Sequence, residues 1–274
     1  MLDIGCGTGA VTHEMAHAFP AAQAYGIDLS VTPNMRLKLP NISYIQGNIM
    51  GSSNPQLPSN SFDYIFSRLL VLGMTHWKQY IERCVSLAKP GKRERKAQLT
   101  AQKAWIEMHD LDSQLQHIPS PLSSLEHLRP HSISIEQIAQ RSHPTDAYYY
   151  PVPWKWEITL GKLLAVNGGD FYCGRNIAAL FEEAGLVDIK VMRYMMPYSQ
   201  WEGLTVEERA WAGYLEGFVK NALPVSIRRA GDELGGEWKG EAEEAVEDLK
   251  VYADRFDGAR SFLWMYVVWG RKAE

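Results

Sequence analysis

Cysteine is scarce in this chain of 274 residues. Cys6, Cys84 and Cys173 are too scattered for a disulfide framework or a paired zinc site, and so few thiols suit a reducing compartment. An excess of positive charge is also lacking. The 28 Lys and Arg against 32 Asp and Glu leave a net charge of −4, which provides no global field for nucleic acid. Long apolar runs are missing too. The longest late one, Phe262 to Trp269, falls far short of the roughly 20 residues that a membrane helix needs. No secretory signal precedes the first motif, and no internal repeat or low-complexity tract interrupts the chain. These absences predict a cytoplasmic protein with no membrane span and no nucleic-acid partner. The length allows one large domain or a domain with a cap.

The chemistry that is present concentrates in Leu2-Asp3-Ile4-Gly5-Cys6-Gly7-Thr8-Gly9. Met1 to Ile4 reads as a short apolar strand running into three glycines at alternate positions. Glycine lacks a Cβ, so such a loop turns tightly and brings bare backbone against a ligand. Val11, Met15, Ala18 and Phe19 then recur at helical spacing and stop at Pro20. Ala24 to Ile27 reads as a second strand ending on Asp28, about 20 residues beyond the glycines. Strand, glycine loop, helix, strand and terminal acid make a nucleoside site, in which the acid takes two ribose hydroxyls.

Gly5, Gly7 and Ala10 also satisfy the looser dinucleotide fingerprint. Two features argue against it. Asp3 lies inside the strand, where dinucleotide sites carry an apolar residue, and the third glycine stands at position 9 rather than 10. Asp3-Ile4-Gly5-Cys6-Gly7-Thr8-Gly9 closely resembles the first motif of class I S-adenosylmethionine methyltransferases. That resemblance implies S-adenosylmethionine as cofactor and a binding set of Asp3, Gly5, Cys6, Gly7, Gly9, Asp28, Leu29, Asn48, Ile49, Ser67 and Arg68. At Gly47-Asn48-Ile49 the family places an acid or amide that accepts from the adenine amino group, followed by a backbone N–H that donates to the ring. Most members carry aspartate there. The amide oxygen of Asn48 is also an acceptor.

His13-Glu14-Met15-Ala16-His17 matches the H-E-x-x-H signature of zinc proteases. At about 100° per residue, Val11, Met15, Ala18 and Phe19 share one arc, which turns both histidines toward solvent. No glutamate occurs between Glu14 and Glu82 to complete a ligand set. No metal is expected.

Residues 1–112 read as the cofactor-binding half of the core. Ile42 to Ile45 is its third strand and Phe62 to Ser67 its fourth, whose end faces the ligand crevice of such sheets. Trp77, Ile81, Cys84, Val85 and Ala88 mark an amphipathic helix closed by Lys89-Pro90-Gly91. Lys92 to Lys103 holds five basic residues and a single large apolar one, Leu99, and is expected to project from the domain. Trp105-Ile106-Glu107 opens strand five, with His109 and Asp110 just past it. Residues 113–169 and 197–259 read as helical cap insertions, with helices near 134–140, 205–221 and 241–256. Residues 170–196 read as a core helix and strand, and 260–274 as a last strand antiparallel to 187–194. The five aromatics of Tyr148 to Trp156 either line a pocket for a flat substrate or form the cap's own core.

The first motif, the Pro-Gly turn before Trp-x-Glu-x-x-Asp, the Gly-Arg-Asn helix and the Tyr-Val-Val-Trp-Gly-Arg-Lys ending resemble the fungal secondary-metabolism methyltransferases of the LaeA-like type. The implied fold is α/β, a Rossmann-like doubly wound seven-stranded sheet of order 3-2-1-4-5-7-6 with helical cap insertions. The lid helices that precede the first strand in that class are expected to be missing. The implied function is methyl transfer to a small-molecule substrate. The alternative is a non-catalytic or regulatory protein of secondary metabolism, with a protein partner and a place in the nucleus. Because the sulfonium is already activated, the protein's main task is to align a nucleophile, with a base needed only when the nucleophile arrives protonated. His109 and Asp110 are the candidates for that base, and His76 is the second choice.

Overall fold

The computed structural model describes residues 1–33, 39–51, 57–90, 104–118, 130–139, 150–151, 154–254 and 260–273. Lys92 to Lys103, Tyr148 and Tyr149 lie outside the described residues. The first half alternates strands with crossovers. β1 (Leu2–Ile4), β2 (Ala24–Asp28), β3 (Ile42–Gln46), β4 (Tyr64–Arg68) and β5 (Trp105–His117) all run parallel. Every residue of β1 is buried, as befits a strand covered on both faces. Among these strands lie α1 (Ala10–Ala18) and α2 (Trp77–Leu87). The second half contains β6 (His131–Ser132), α3 (Ile135–Ala139), β7 (Tyr150–Pro151), α4 (Lys155–Val166), α5 (Cys173–Glu183) and β8 (Leu186–Pro197). It ends with α6 (Val206–Asn221), α7 (Leu223–Leu234), α8 (Glu237–Asp254) and β9 (Ser261–Lys272).

The sheet order is β3-β2-β1-β4-β5-β9-β8-β6, with the short β7 pairing β5. Without β6 and β7 this is the 3-2-1-4-5-7-6 order of a doubly wound sheet. β9 lies antiparallel between β5 and β8, as the 260–274 reading required. Three details differ from the sequence expectation. His109 and Asp110 are not beyond strand five but inside it, because β5 continues for 13 residues against β9. The 197–259 insertion holds three helices, since Pro224 sits in the first turn of α7, where a missing N–H costs nothing. The buried stripe of α1 is Thr12, Met15 and Ala16, and Phe19 is 58% exposed. That rotation leaves the His13 side chain only 19% exposed rather than solvent-facing.

Two hydrophobic cores result. The larger joins the sheet to α2 and α5, with Tyr80, Ile81, Ile106, Met108, Ile177 and Phe181 at its centre. The smaller lies under the cap, where Leu111, Leu115 and Leu263 of the long strands meet Trp156, Leu215 and Leu249 of α4, α6 and α8. β5 and β9 thus carry both cores along their length. No helix among the described residues is long and apolar enough to cross a membrane.

Register assigns side chains to faces. Asp3 pairs with Phe66, and Arg68 with His109. Alternation therefore places Asp3, Tyr64, Phe66, Arg68, Glu107 and His109 on one face, the side of α1. Ser67 and Met108 point to the opposite face.

α5 approaches β5 closely at Gly174. A Cβ there would lie 2.5 Å from the carbonyl oxygen of Asp110 and 2.8 Å from the amide nitrogen of Asp112. Gly174→Ala should therefore destabilise the fold by about 1–3 kcal/mol, the usual cost of overpacking. Gly217→Ala, at an α6 position with nothing within 4 Å of the new methyl, should instead raise stability slightly. Thermal melts of both variants check this, and equal melting temperatures for the two would refute the close contact.

Candidate functional site

The glycine loop is built from backbone that only glycine adopts readily. Gly5, Gly7 and Gly9 have φ of +67°, +51° and +72°. The amides of Gly5 and Cys6 both donate to the Ile27 carbonyl, at 2.8 and 3.1 Å, so β2 anchors the loop. No atom of the described residues lies within 4 Å of where a Gly7 Cβ would stand, whereas Gly9 is backed by the Tyr44 ring. The open side of the loop is therefore at Gly7.

Asp28 closes this site from β2. Its Oδ2 accepts from the Gly7 amide and its Oδ1 from the Ser30 amide, both at 2.9 Å. Each oxygen keeps a further lone pair. Leu29 stands beside it, 65% exposed. Asn48 is exposed, and its Oδ1 accepts from the Met50 amide at 2.9 Å, while Ile49 is buried. Cys6 is buried with its Sγ 3.4 Å from the Thr32 hydroxyl. Asp3 is also buried, and burial pushes its carboxyl up to about 6. It accepts from the Thr12 hydroxyl at 2.6 Å. The short bond makes Asp3 the tether between β1 and α1, and Thr12 a site residue that motif reading missed.

The strand ends beside the loop divide in role. Arg68 is exposed, and its charge reaches Asp3. Ser67 is 2% exposed and lies against Tyr80 on the α2 side, so its side chain is not presented to the crevice. His109 Nε2 lies 2.6 Å from Glu107 Oε1, and the Tyr64 hydroxyl donates to Glu107 Oε2 at 2.9 Å. The His109 ring also meets the Phe66 ring edge-on at 4.9 Å. Glu107 thereby orients His109, a pairing that sequence spacing alone did not single out, although residues two apart on a strand share a face.

Asp110 does not match its expected part as a proton acceptor in the crevice. It is 1% exposed, and its carboxylate accepts from the amides of Leu70 at 2.7 Å, Leu111 at 3.0 Å and Val71 at 3.2 Å. Burial pushes it up to about 7 against the pull of those amides. Two residues on, Asp112 is ion-paired with Arg175 of α5. His76 caps α2 with φ of +55°, and its ring lies where a Gly168 Cβ would stand. Trp156 is buried and stacks on Tyr198, with Tyr252 beside both and Trp154 edge-on to Tyr252, so Trp154 and Trp156 serve the cap's own core. A cavity of about 50 Å³ remains there, walled by Val71, Leu72, Leu111, Trp156, Phe171 and Phe218. Among the described residues no three His, Cys, Asp or Glu side chains converge to hold a metal ion.

Glu157 is the cap's most perturbed acid. Its Oε1 accepts from the Leu115 amide at 3.1 Å, and its buried Oε2 has no partner. Burial pushes its carboxyl up to about 8, the Leu115 bond opposing and the Asp112 charge adding to the rise. A raised acid contributes stability that is full below its unfolded value and lost as pH rises through the folded one. Melting temperature should therefore fall between about pH 5 and about pH 8. Glu157→Gln should flatten that slope and melt higher than the wild type at the alkaline end. Parallel slopes for the two proteins would assign the effect elsewhere.

A family profile described as "Methyltransferase domain" matches residues 1–91. The secondary metabolism regulator laeA of Coprinopsis cinerea is 34% identical over 90 residues, 33% of this chain and 22% of that protein. The secondary metabolism regulator LAE1 of Cochliobolus heterostrophus is 23% identical over 207 residues, 73% of this chain and 53% of that protein. A trans-aconitate 2-methyltransferase of Deinococcus radiodurans is 31% identical over 94 residues, 33% of this chain and 34% of that protein. The chain thus spans about half or less of the length of these relatives. On its first motif, its sheet order and these similarities, the chain resembles the class I S-adenosylmethionine-dependent methyltransferases, and among them the LaeA-like proteins.

Proposed function

We propose that the protein binds S-adenosylmethionine on the Gly5–Gly9 loop and directs its methyl group to a small-molecule nucleophile. The observation that carries this reading is the pairing of open space at Gly7 with a carboxylate held at the same point. Asp28 is fixed by the Gly7 amide, and its remaining lone pairs are the acceptors that two ribose hydroxyls need. Leu29 offers an exposed apolar side chain to the base, and the turn at Asn48 and Ile49 stands at the end of the neighbouring strand. The residues present fit the cofactor.

S-adenosylmethionine supplies a methyl already activated on a sulfonium. What remains to the chain is alignment and, for a protonated nucleophile, removal of a proton. Arg68 and His109 stand side by side on β4 and β5, the always-charged Arg68 to hold the substrate and His109 to take the proton. Glu107 holds His109 through Nε2, which leaves Nδ1 as the nitrogen to accept a proton. Burial raises the Glu107 carboxyl, but the bonds from His109 and Tyr64 outweigh it and leave it below the usual range, so it stays ionised beside the imidazole.

One observation favours a second reading, a regulatory protein that binds the cofactor and acts through a protein partner. Two of the chain's relatives, laeA of Coprinopsis cinerea and LAE1 of Cochliobolus heterostrophus, are named secondary metabolism regulators.

Calorimetric titration tests the cofactor site that both readings share, and label transfer separates them. Asp28→Ala should weaken S-adenosylmethionine binding by about 1.5–3 kcal/mol, the scale of a bond to a charged group. Gly7→Val should abolish binding, since its side chain fills the open space on strained backbone. His13→Ala with His17→Ala should leave it nearly unchanged. Labelled S-adenosylmethionine incubated with a small-molecule extract should yield labelled product, and His109→Ala should slow that transfer without stopping it. Tight binding with no label transferred to any small molecule or protein would favour the regulatory reading.

A further inference from the structure

We propose that Asp110 is a positioning residue that ties the glycine loop to the cap through the β4–α2 connection, residues 69–76. The claim rests on the cofactor reading only for the ligand it uses as a probe.

The connection begins in an unfavourable conformation. Leu69 has φ of +57°, a left-handed state that a leucine avoids unless its surroundings impose it. The surroundings are specific. The Leu69 amide donates to the His109 carbonyl at 2.9 Å, and the next two amides donate to the Asp110 carboxylate. Three consecutive backbone groups are thus fixed from β5, two of them by one buried side chain.

Each following residue then touches a different part of the molecule. Leu70 packs against the first glycine of the loop, its Cδ2 lying 2.4 Å from where a Gly5 Cβ would stand. Val71 and Leu72 wall the cavity under the cap. Thr75 bridges Gly169, and the His76 amide donates to the Gly168 carbonyl at 2.8 Å, where α4 ends. Eight residues therefore contact the cofactor loop at one end and a cap helix at the other. Rigid attachment at the Asp110 end is what lets a displacement at one contact reach the other. A carboxylate suits the task because one side chain accepts from two neighbouring amides at once, and bonds to a charged acceptor are about twice as strong as neutral ones.

Amide hydrogen exchange with mass spectrometry tests this, on the whole chain with and without S-adenosylhomocysteine. In the wild type the ligand should slow exchange in the glycine loop, in 69–76 and in α4. Ligand-free Asp110→Asn should exchange about tenfold faster at 69–76, because one of its two acceptors becomes a donor. With ligand it should keep protection at the glycine loop and lose it in α4. Asp112→Asn, which breaks an ion pair in the same strand, should lower the melting temperature but leave exchange at 69–76 as in the wild type. Unchanged exchange at 69–76 in Asp110→Asn, or undiminished protection of α4, would overturn the proposal. Absence of any ligand protection in the wild type would sink the cofactor reading and the coupling with it, while the ligand-free comparison would still decide the anchoring. Should Asp110→Asn fail to fold, Leu70→Ala carries the test. It keeps the anchor and removes the contact with Gly5, so the loop should stay protected and α4 should not.

Discussion

A carboxylate buried in the middle of a sheet must be satisfied, and in this protein the groups that satisfy Asp110 are backbone amides of another strand's exit. Leaving those bonds unmade would cost several kcal/mol of desolvation, so the path of residues 69–71 is fixed as firmly as the strand that carries the acid. The neighbours of Asp110 repeat the arrangement. Asp112 holds Arg175 of α5, and Glu107 holds Tyr64 and His109. β5 thus carries acids on both faces, each spent on a different element. The strand works as a fixed rail, and the crevice, α5 and the cap take their positions from it.

The length of that rail explains the two-core architecture. β5 and β9 pair well past the point where the parallel strands end, and on the face opposite α2 and α5 their far halves need apolar cover of their own. α4, α6 and α8 supply it, with Trp156, Tyr198 and Tyr252 in mutual contact. Aromatic rings so packed stabilise by burial and by ring contact. A cavity of about 50 Å³ lies beside them, and one of about 460 Å³ where α4 meets Phe171 and Tyr172.

Much of this was legible in the residues. Glycines at alternate positions, an acid at the end of the second strand and helical spacing between them report local backbone geometry, which nearby residues specify. The strand order followed from the motif's resemblance and from the late apolar run, because a strand buried on both faces must be apolar along its length. Illegible were the partners of the acids. Asp3 and Thr12 are nine positions apart, but the bond between them required α1 to rotate its buried stripe. Asp110 was placed in the crevice by counting to the end of strand five, and the count failed because the strand's end is set by its pairing with β9.

The local chemistry of residues 2–28 was written in the chain itself, since glycine conformations, strand ends and helix starts depend on side chains within a few positions. The direction in which His109 and Asp110 point, the burial of Ser67 and the identity of the groups they meet were decided only by the folded sheet. Register assigns faces, and register depends on bonds between strands far apart in the chain, such as those that pair Asp110 with Tyr266. A side chain's partners across such distances leave no periodic trace in the sequence, so the same acid can read as a catalytic base and prove, on folding, to be the support of a turn.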